Sequence, residues 1–157
     1  MATSVNTIKT DYPLPVYNYR VEIGSEAVAF AEVSGLSIAY ETTTYKESPT
    51  AAGAVGPRIL HMPAQLTPPT ITLKKGIVRT TSIKTLYDWI KTVQINQIEK
   101  KDISIRLCDE KGAAVISWTV RNAFPVKLDA PTFDAKSNDA AIESMELKAD
   151  SITLQEA

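Results

Sequence analysis

Residues 16–23 alternate: Tyr17, Tyr19, Val21 and Ile23 fall on one side, Asn18, Arg20 and Glu22 on the other. A period of two is the signature of a strand with one buried face. Gly24-Ser25 closes it as a hairpin turn, and a short strand through Val28-Ala29-Phe30 follows. Ser34-Gly35 breaks the run, with Gly35 placed for a bulge or sharp bend. Alternation resumes over residues 36–45, where Leu36, Ile38 and Tyr40 oppose Ser37, Glu41 and Thr43.

Residues 46–69 lose the pattern. Pro49, Pro57, Pro63, Pro68 and Pro69 sit with Gly53 and Gly56 among small residues, which predicts a long, exposed and poorly ordered loop. Loops beyond ~12–15 residues are uncommon inside compact domains and usually serve a purpose. Thr70-Ile71-Thr72-Leu73 reads as strand, ended by Lys74-Lys75-Gly76. One helix is predicted next. Ile83, Leu86, Tyr87, Ile90 and Val93 form an apolar stripe at helical spacing, while Lys84, Asp88 and Lys91 face water. Ser82 is its expected N-cap, and Trp89 sits half exposed at the flank of the stripe.

Residues 103–107 alternate again, Asp109-Glu110-Lys111-Gly112 is a turn, and residues 114–120 return with Ile116, Trp118 and Val120 on one face. Residues 122–127 read as a corner around Pro125. The last strand, residues 142–154, changes face twice. Met145, Leu147 and Ala149 are in phase, while Ile142 and Ile152 are out of phase, as bulges produce. Ser144, Glu146, Lys148 and Asp150 form a polar face between the shifts. Strands, one helix, then more strands make an antiparallel α+β pattern. Its natural closed form is a small β-barrel or sandwich with one packed helix.

Composition supports strand: Ile, Val and Thr make up 43 of 157 residues, and β-branched side chains suit a pleated sheet. A length of 157 residues suits one domain over 1–157. The net charge of -1 leaves no cationic surplus to hold nucleic acid by counterion release. No apolar run approaches the ~20 residues that cross a bilayer, and no apolar signal core opens the chain, so synthesis in the cytoplasm is expected.

Chemistry is sparse. A single Cys excludes an internal disulfide, and one Cys with one His argues against a His/Cys metal site. Cys108 ends a strand and His61 lies in the Pro-rich segment, with nothing in the spacing to join them as nucleophile and base. Asp109 and Glu110 belong to a turn, and Glu143 and Glu146 fall on opposite faces of a regular strand. The glycines match no phosphate-loop spacing. No catalytic, cofactor or metal site is expected.

Several strings occur together in a matching order: Phe30-Ala31-Glu32-Val33-Ser34-Gly35-Leu36, Thr72-Leu73-Lys74-Lys75-Gly76, Leu86-Tyr87-Asp88-Trp89-Ile90, Trp118 with Asn122-Ala123-Phe124-Pro125-Val126-Lys127, and Ala140-Ala141-Ile142-Glu143-Ser144-Met145-Glu146-Leu147. Over residues 12–154 the chain resembles the tail-tube (inner tube) proteins of contractile phage tails and of extracellular contractile injection systems. Tyr12-Pro13-Leu14-Pro15-Val16-Tyr17 is similar to the injection-system branch. Glu47-Ser48-Pro49 and Ala64 depart from the family's Gly-rich turn and Met-Pro-Gly.

The resemblance implies a structural subunit, without enzymatic activity or cofactor. Such subunits form hexameric rings with a continuous β-barrel lumen, and the rings stack into a hollow conduit. It implies an N-terminal arm over 1–14 and an inter-ring loop over 46–69, with Lys46, Glu47, Pro49, Arg58, His61 and Met62 as its contact residues. Strands over 36–45 and 142–154 would supply the wall. Glu41, Thr43, Ser144, Glu146, Lys148 and Asp150 are the lumen-facing candidates, and Leu86, Trp89 and Ile90 belong to the outer helix. Expected partners are further copies of the chain, sheath, baseplate and cap proteins, and cargo protein or DNA that passes without specific binding. The finished object would be a virion or a released phage-tail-like particle. A ring that initiates the tube on the baseplate is the alternative within the family. A monomeric ligand-binding β-barrel, with an apolar interior pocket, is the alternative outside it.

Overall fold

The computed structural model describes residues 2–80, 82–95 and 97–157. Its strands are β1 (Tyr19–Ile23), β2 (Glu26–Val28), β3 (Glu32–Ser34), β4 (Ala39–Glu47), β5 (Arg58–Thr67), β6 (Thr70–Gly76), β7 (Lys101–Cys108), β8 (Ala114–Asp129), β9 (Ile142–Lys148) and β10 (Ser151–Glu156). Eight of them form one antiparallel sheet in the order β2-β1-β7-β8-β9-β6-β3, with β10 beside β8, while β4 and β5 form a separate ribbon. The mainly antiparallel β architecture agrees with the sequence pattern.

The longest strand, β8, turns one sheet into two layers. Its first half pairs with β7 and β10, its second half with β9. Between them Asn122 adopts φ 53, a left-handed conformation that Asn tolerates better than most residues. Its N–H donates to Asp102 Oδ1 at 2.9 Å and its side-chain amide donates to Asp150 Oδ2 at 2.8 Å. The expected corner at 122–127 is therefore a bend inside a continuing strand. The expected single strand over 142–154 is divided into β9 and β10, which follow β8 around that bend. One phase shift suffices: Met145, Leu147 and Ala149 are buried, then Ile152, and Ile142 is simply exposed.

Bending brings the two halves face to face. Val21, Ile23, Ile103, Ile105 and Val120 from one half share a core with Ile71, Leu73, Met145 and Leu147 from the other. Leu86 and Trp89 pack into the same core. The helical segment differs from its predicted phase. Residues Ile83–Tyr87 wind with a wide, π-type turn, in which the Asp88 N–H reaches back to the Ile83 carbonyl, before α2 (Asp88–Ile90). The extra residue in that turn rotates the face. Trp89, expected at the flank, is only 3% exposed, and Tyr87, expected in the stripe, is 52% exposed. The Trp89 indole N–H donates to the Glu99 carbonyl at 2.7 Å. A second helix, α1 (Val5–Asp11), was not expected; it is capped by the Ser4 hydroxyl and buries no residue.

The expected loop over 46–69 is also corrected, because β5 occupies most of its second half. Pro63 falls beside the register shift of the β4–β5 pair, a position where a strand accepts proline. Only residues 48–57, with Pro49 and Pro57, connect the two strands.

A charged pair is buried where β6, β9 and the helical segment meet. Lys75 Nζ donates to the Gly76 carbonyl at 3.1 Å and to Ser82 Oγ at 3.2 Å, and lies 3.9 Å from Glu143 Oε1. Losing one partner strands the other charge in the core, which typically costs ~3–5 kcal/mol, whereas apolar replacement of both is often neutral. Lys75→Met should therefore lower the denaturation free energy by about that amount, and Lys75→Met with Glu143→Leu should restore most of it. Urea titration of the dilute subunit checks both.

Gly35 has φ +85, and a Cβ there would lie 2.1 Å from the Thr70 carbonyl oxygen. Gly53 has φ +83 with open space around it. The left-handed backbone penalty of ~1–2 kcal/mol is common to both sites, and the clash is not. Gly35→Ala should thus cost more than about 3 kcal/mol or abolish soluble folding, while Gly53→Ala stays within about 2 kcal/mol, as read from denaturation midpoints.

Candidate assembly surfaces

Alternation in β6 and β9 sorts their side chains. Ile71, Leu73, Met145 and Leu147 turn to the core, and Thr70, Thr72, Lys74, Ser144, Glu146 and Lys148 turn away from it. Register aligns the outward residues in rows: Glu32 beside Lys74, Lys74 beside Ser144, and Ser144 beside Asp129. Thr72 lies beside Glu146, and Glu146 beside Lys127. Lys74 pairs with Glu32 at 3.2 Å and Lys127 with Asp129 at 3.3 Å, and Lys148 Nζ donates to Thr70 Oγ1 at 2.5 Å. Three cations and three carboxylates thus share the face and cancel. Exposed pairs of this kind contribute little stability, so their effect is a polar surface without net charge.

This polar sheet, β3-β6-β9-β8, ends in two open edges. β3 pairs only with β6, and residues 124–129 of β8 pair only with β9 among the described residues. A free strand edge presents unpaired N–H and C=O groups to any further strand.

The ribbon is more exposed still. Among the described residues β4 and β5 pair only with each other, and apolar side chains stand on both faces. Tyr45 opposes Leu60 and Thr43 opposes Met62 on one face; Tyr40 opposes Leu66 and Lys46 opposes Ile59 on the other. Tyr40, Tyr45, Ile59, Met62 and Leu66 are all exposed. A two-stranded hairpin alone is marginally stable in water, and three strands or a packing partner are needed to hold it.

These positions regroup the sequence candidates. Ser144, Glu146 and Lys148 share the polar face of β9. Glu41 and Thr43 lie on the ribbon instead, and Asp150 follows β9 and accepts from Asn122 at the bend. Lys46 and Glu47 end β4, Pro49 lies in the connection, and Arg58, His61 and Met62 lie on β5, where Arg58 pairs with Glu47 at 3.9 Å. Leu86 and Trp89 anchor the helical segment from inside, with Ile90 half buried. Thr72, Lys74, Lys127 and Asp129 were missed, although the alternation of Thr70-Ile71-Thr72-Leu73 already carried the signal for two of them.

Cys108 is buried at the end of β7, while His61 is exposed on the ribbon. Among the described residues no group of three or more His, Cys, Asp or Glu is placed to hold a metal ion. Among the described residues no helix is long and apolar enough to cross a membrane. An apolar groove of ≈ 470 Å³ opens between the layers, lined by Tyr19, Val33, Leu36, Ile105, Leu107 and Trp118. The Tyr19 hydroxyl donates to the Phe30 carbonyl at 2.7 Å, and burial, with the nearby Glu32 carboxylate, holds its pKa above the usual tyrosine value.

The family model described as T4-like virus tail tube protein gp19 matches residues 15–153. The chain belongs to that tail tube family. It is 40% identical to a chain in the extended-state sheath-tube complex of the PVC extracellular contractile injection system, with TM-score 0.88, covering 99% of this chain and 100% of that one. A chain in the structure of the anti-feeding prophage cap (AFP tube terminating cap) is also 40% identical, with TM-score 0.85 and 100% of both chains covered. A chain in the 6-fold symmetrised AFP baseplate is 21% identical, with TM-score 0.75, covering 91% of this chain and 95% of that one, a likeness of fold. No curated protein matches the chain.

Proposed function

We propose that this protein is a structural subunit of the inner tube of a contractile, phage-tail-like injection particle. The observation that carries the reading is the polar, charge-balanced sheet with two open edges, in a chain whose full length aligns with a sheath-tube component. Placing the residue 124–129 edge of one copy against the β3 edge of the next pairs both sets of backbone groups. Repeated around an axis, the sheets close into a barrel, the one β arrangement without edges. Six copies would complete the ring, with stacked rings forming the conduit.

In that barrel the lumen is lined by Glu32, Thr72, Lys74, Lys127, Asp129, Ser144, Glu146 and Lys148. Glu41, Thr43 and Asp150 leave the lumen set because their elements lie off this sheet. Alternating charges of both signs give passing protein or DNA no large single-sign field to stick to. The exposed Ile83, Tyr87 and Lys91 side of the helical segment then faces outward, toward a sheath. Cap and baseplate are the expected neighbours at the tube ends. The role is scaffolding, without catalysis. Higher identity to the sheath-tube chain than to the baseplate chain favours the main tube over an initiating ring. A monomeric ligand barrel would have to close its own sheet, and this sheet stays open at both ends.

Negative-stain imaging and mass measurement of the purified full-length chain test the reading. Rings with a central hole, single or stacked, with masses in multiples of six subunits, are expected. A strictly monomeric species at high concentration would overturn it.

A further inference from the structure

The layer β2-β1-β7-β8-β10 reaches past the polar sheet that covers it. Near the bend at Asn122 its core-side residues Ile23, Ile103, Val120 and Ile152 are all buried. Two residues further from the bend along the same strands, cover begins to fail: Ile105 stays buried, Trp118 is half-buried and Leu154 is 55% exposed. Two residues further again, Leu107 and Ile116 are half-buried, and Tyr17, which leads into β1, is 82% exposed. The polar sheet runs back from the bend in the order β8, β9, β6, β3, so β3 is the last strand to give cover. The ≈ 470 Å³ groove opens along that border, with Val33 of β3 on one side and Leu107 and Trp118 on the other.

We propose that this groove seats the residue 124–129 segment of the next copy in the ring, with Val126 and Leu128 as the side chains that fill it. The inference rests on the tube reading and goes past the barrel, because strand pairing satisfies main-chain groups and leaves the apolar groove behind them unfilled. Three observations select this occupant. The first is position: a strand added beside β3 extends the covering sheet by one strand, over Leu107 and Trp118. The second is direction. β3 runs antiparallel to β6, β6 to β9 and β9 to β8, so β8 of the next copy meets β3 without breaking the alternation. The third is chemistry. Val33, Leu73, Met145 and Leu128 stand in one row on the core side of the sheet, and the added strand continues that row toward the groove. Val126 is exposed at the register shift of the same segment. The nearby charges are already engaged, Lys127 with Asp129 and Glu32 at the groove rim with Lys74. The groove is an open corner of the core whose last wall belongs to a sister copy, and burying large apolar side chains there removes them from water.

The test uses full-length protein carrying Tyr17→Cys at the groove and Val126→Cys on the entering segment, two positions exposed in the subunit. The native Cys108 is buried. After rings are confirmed by imaging, a short bis-maleimide is added and the products are resolved by denaturing electrophoresis. A ladder that ends at six copies is expected, with each single-cysteine variant giving none. No product beyond the monomer in intact rings, or a ladder running past six because the contact lies between rings, overturns the proposal. In parallel, Val126→Asp should leave the thermal midpoint of the dilute subunit unchanged and raise the concentration needed for ring formation at least ~10-fold. Ring formation at the original concentration would overturn the proposal. Failure of the unsubstituted chain to form rings at all would instead strike the tube reading beneath it.

Discussion

Backbone N–H and C=O groups along a strand edge have to be paired or solvated, and among the described residues β3, residues 124–129 of β8 and the β4–β5 ribbon each keep an open side. A long β8 supplies pairing sites for three strands and holds one layer over the other, yet its last residues keep a free side. The short β3 does the same at the far border of the polar sheet. The ribbon extends the theme, with two free sides and apolar groups on both faces. Natural monomers blunt such edges with charges, prolines or closure. In the proposed tube, further copies of the chain would supply the shielding, and the same groups that define the sheet would define the assembly.

The rest of the structure keeps that sheet rigid enough to be joined. Asn122 fixes the bend of β8 through a main-chain hydrogen bond to Asp102 of β7 and a side-chain hydrogen bond to Asp150 between β9 and β10. Lys75, Ser82 and Glu143 tie the sheet to the start of the helical segment from within the core. Leu86 and Trp89 close the core beside them. A polar face held on a well-packed layer presents its charges in fixed rows, which suits a wall more than a binding pocket. The groove at Trp118 and Leu36 is apolar but opens to solvent beside exposed Val16 and Tyr17.

Much of this was legible in the sequence, for physical reasons that vary by element. β1, β6 and residues 103–107 of β7 alternate, because each has one face toward the core and one turned away from it. The polar face of β9 was read correctly at Ser144, Glu146 and Lys148 for the same cause. β5 was hidden because neither of its faces is buried in its own chain, so no period could mark it, and its prolines suggested a loop. Trp89 was misplaced because a π-type turn is set by packing against the sheets and not by residue spacing. Glu41 and Thr43 were grouped with Glu146 from alternation alone, which reports a face but not the sheet to which it belongs. The Asp150 contact with Asn122 was not legible, since it joins residues distant in the sequence.

The central claim is that the ribbon and sheet edges gain their partners from sister copies. Amide hydrogen exchange over residues 39–67 measures this most directly, comparing the dilute subunit with the assembled particle. Exchange in the β4–β5 amides should be fast in the dilute subunit and slowed at least ~100-fold on assembly, with the residue 124–129 edge slowed alongside. Full protection already present in the lone subunit, or equal exchange in both states, would contradict the account.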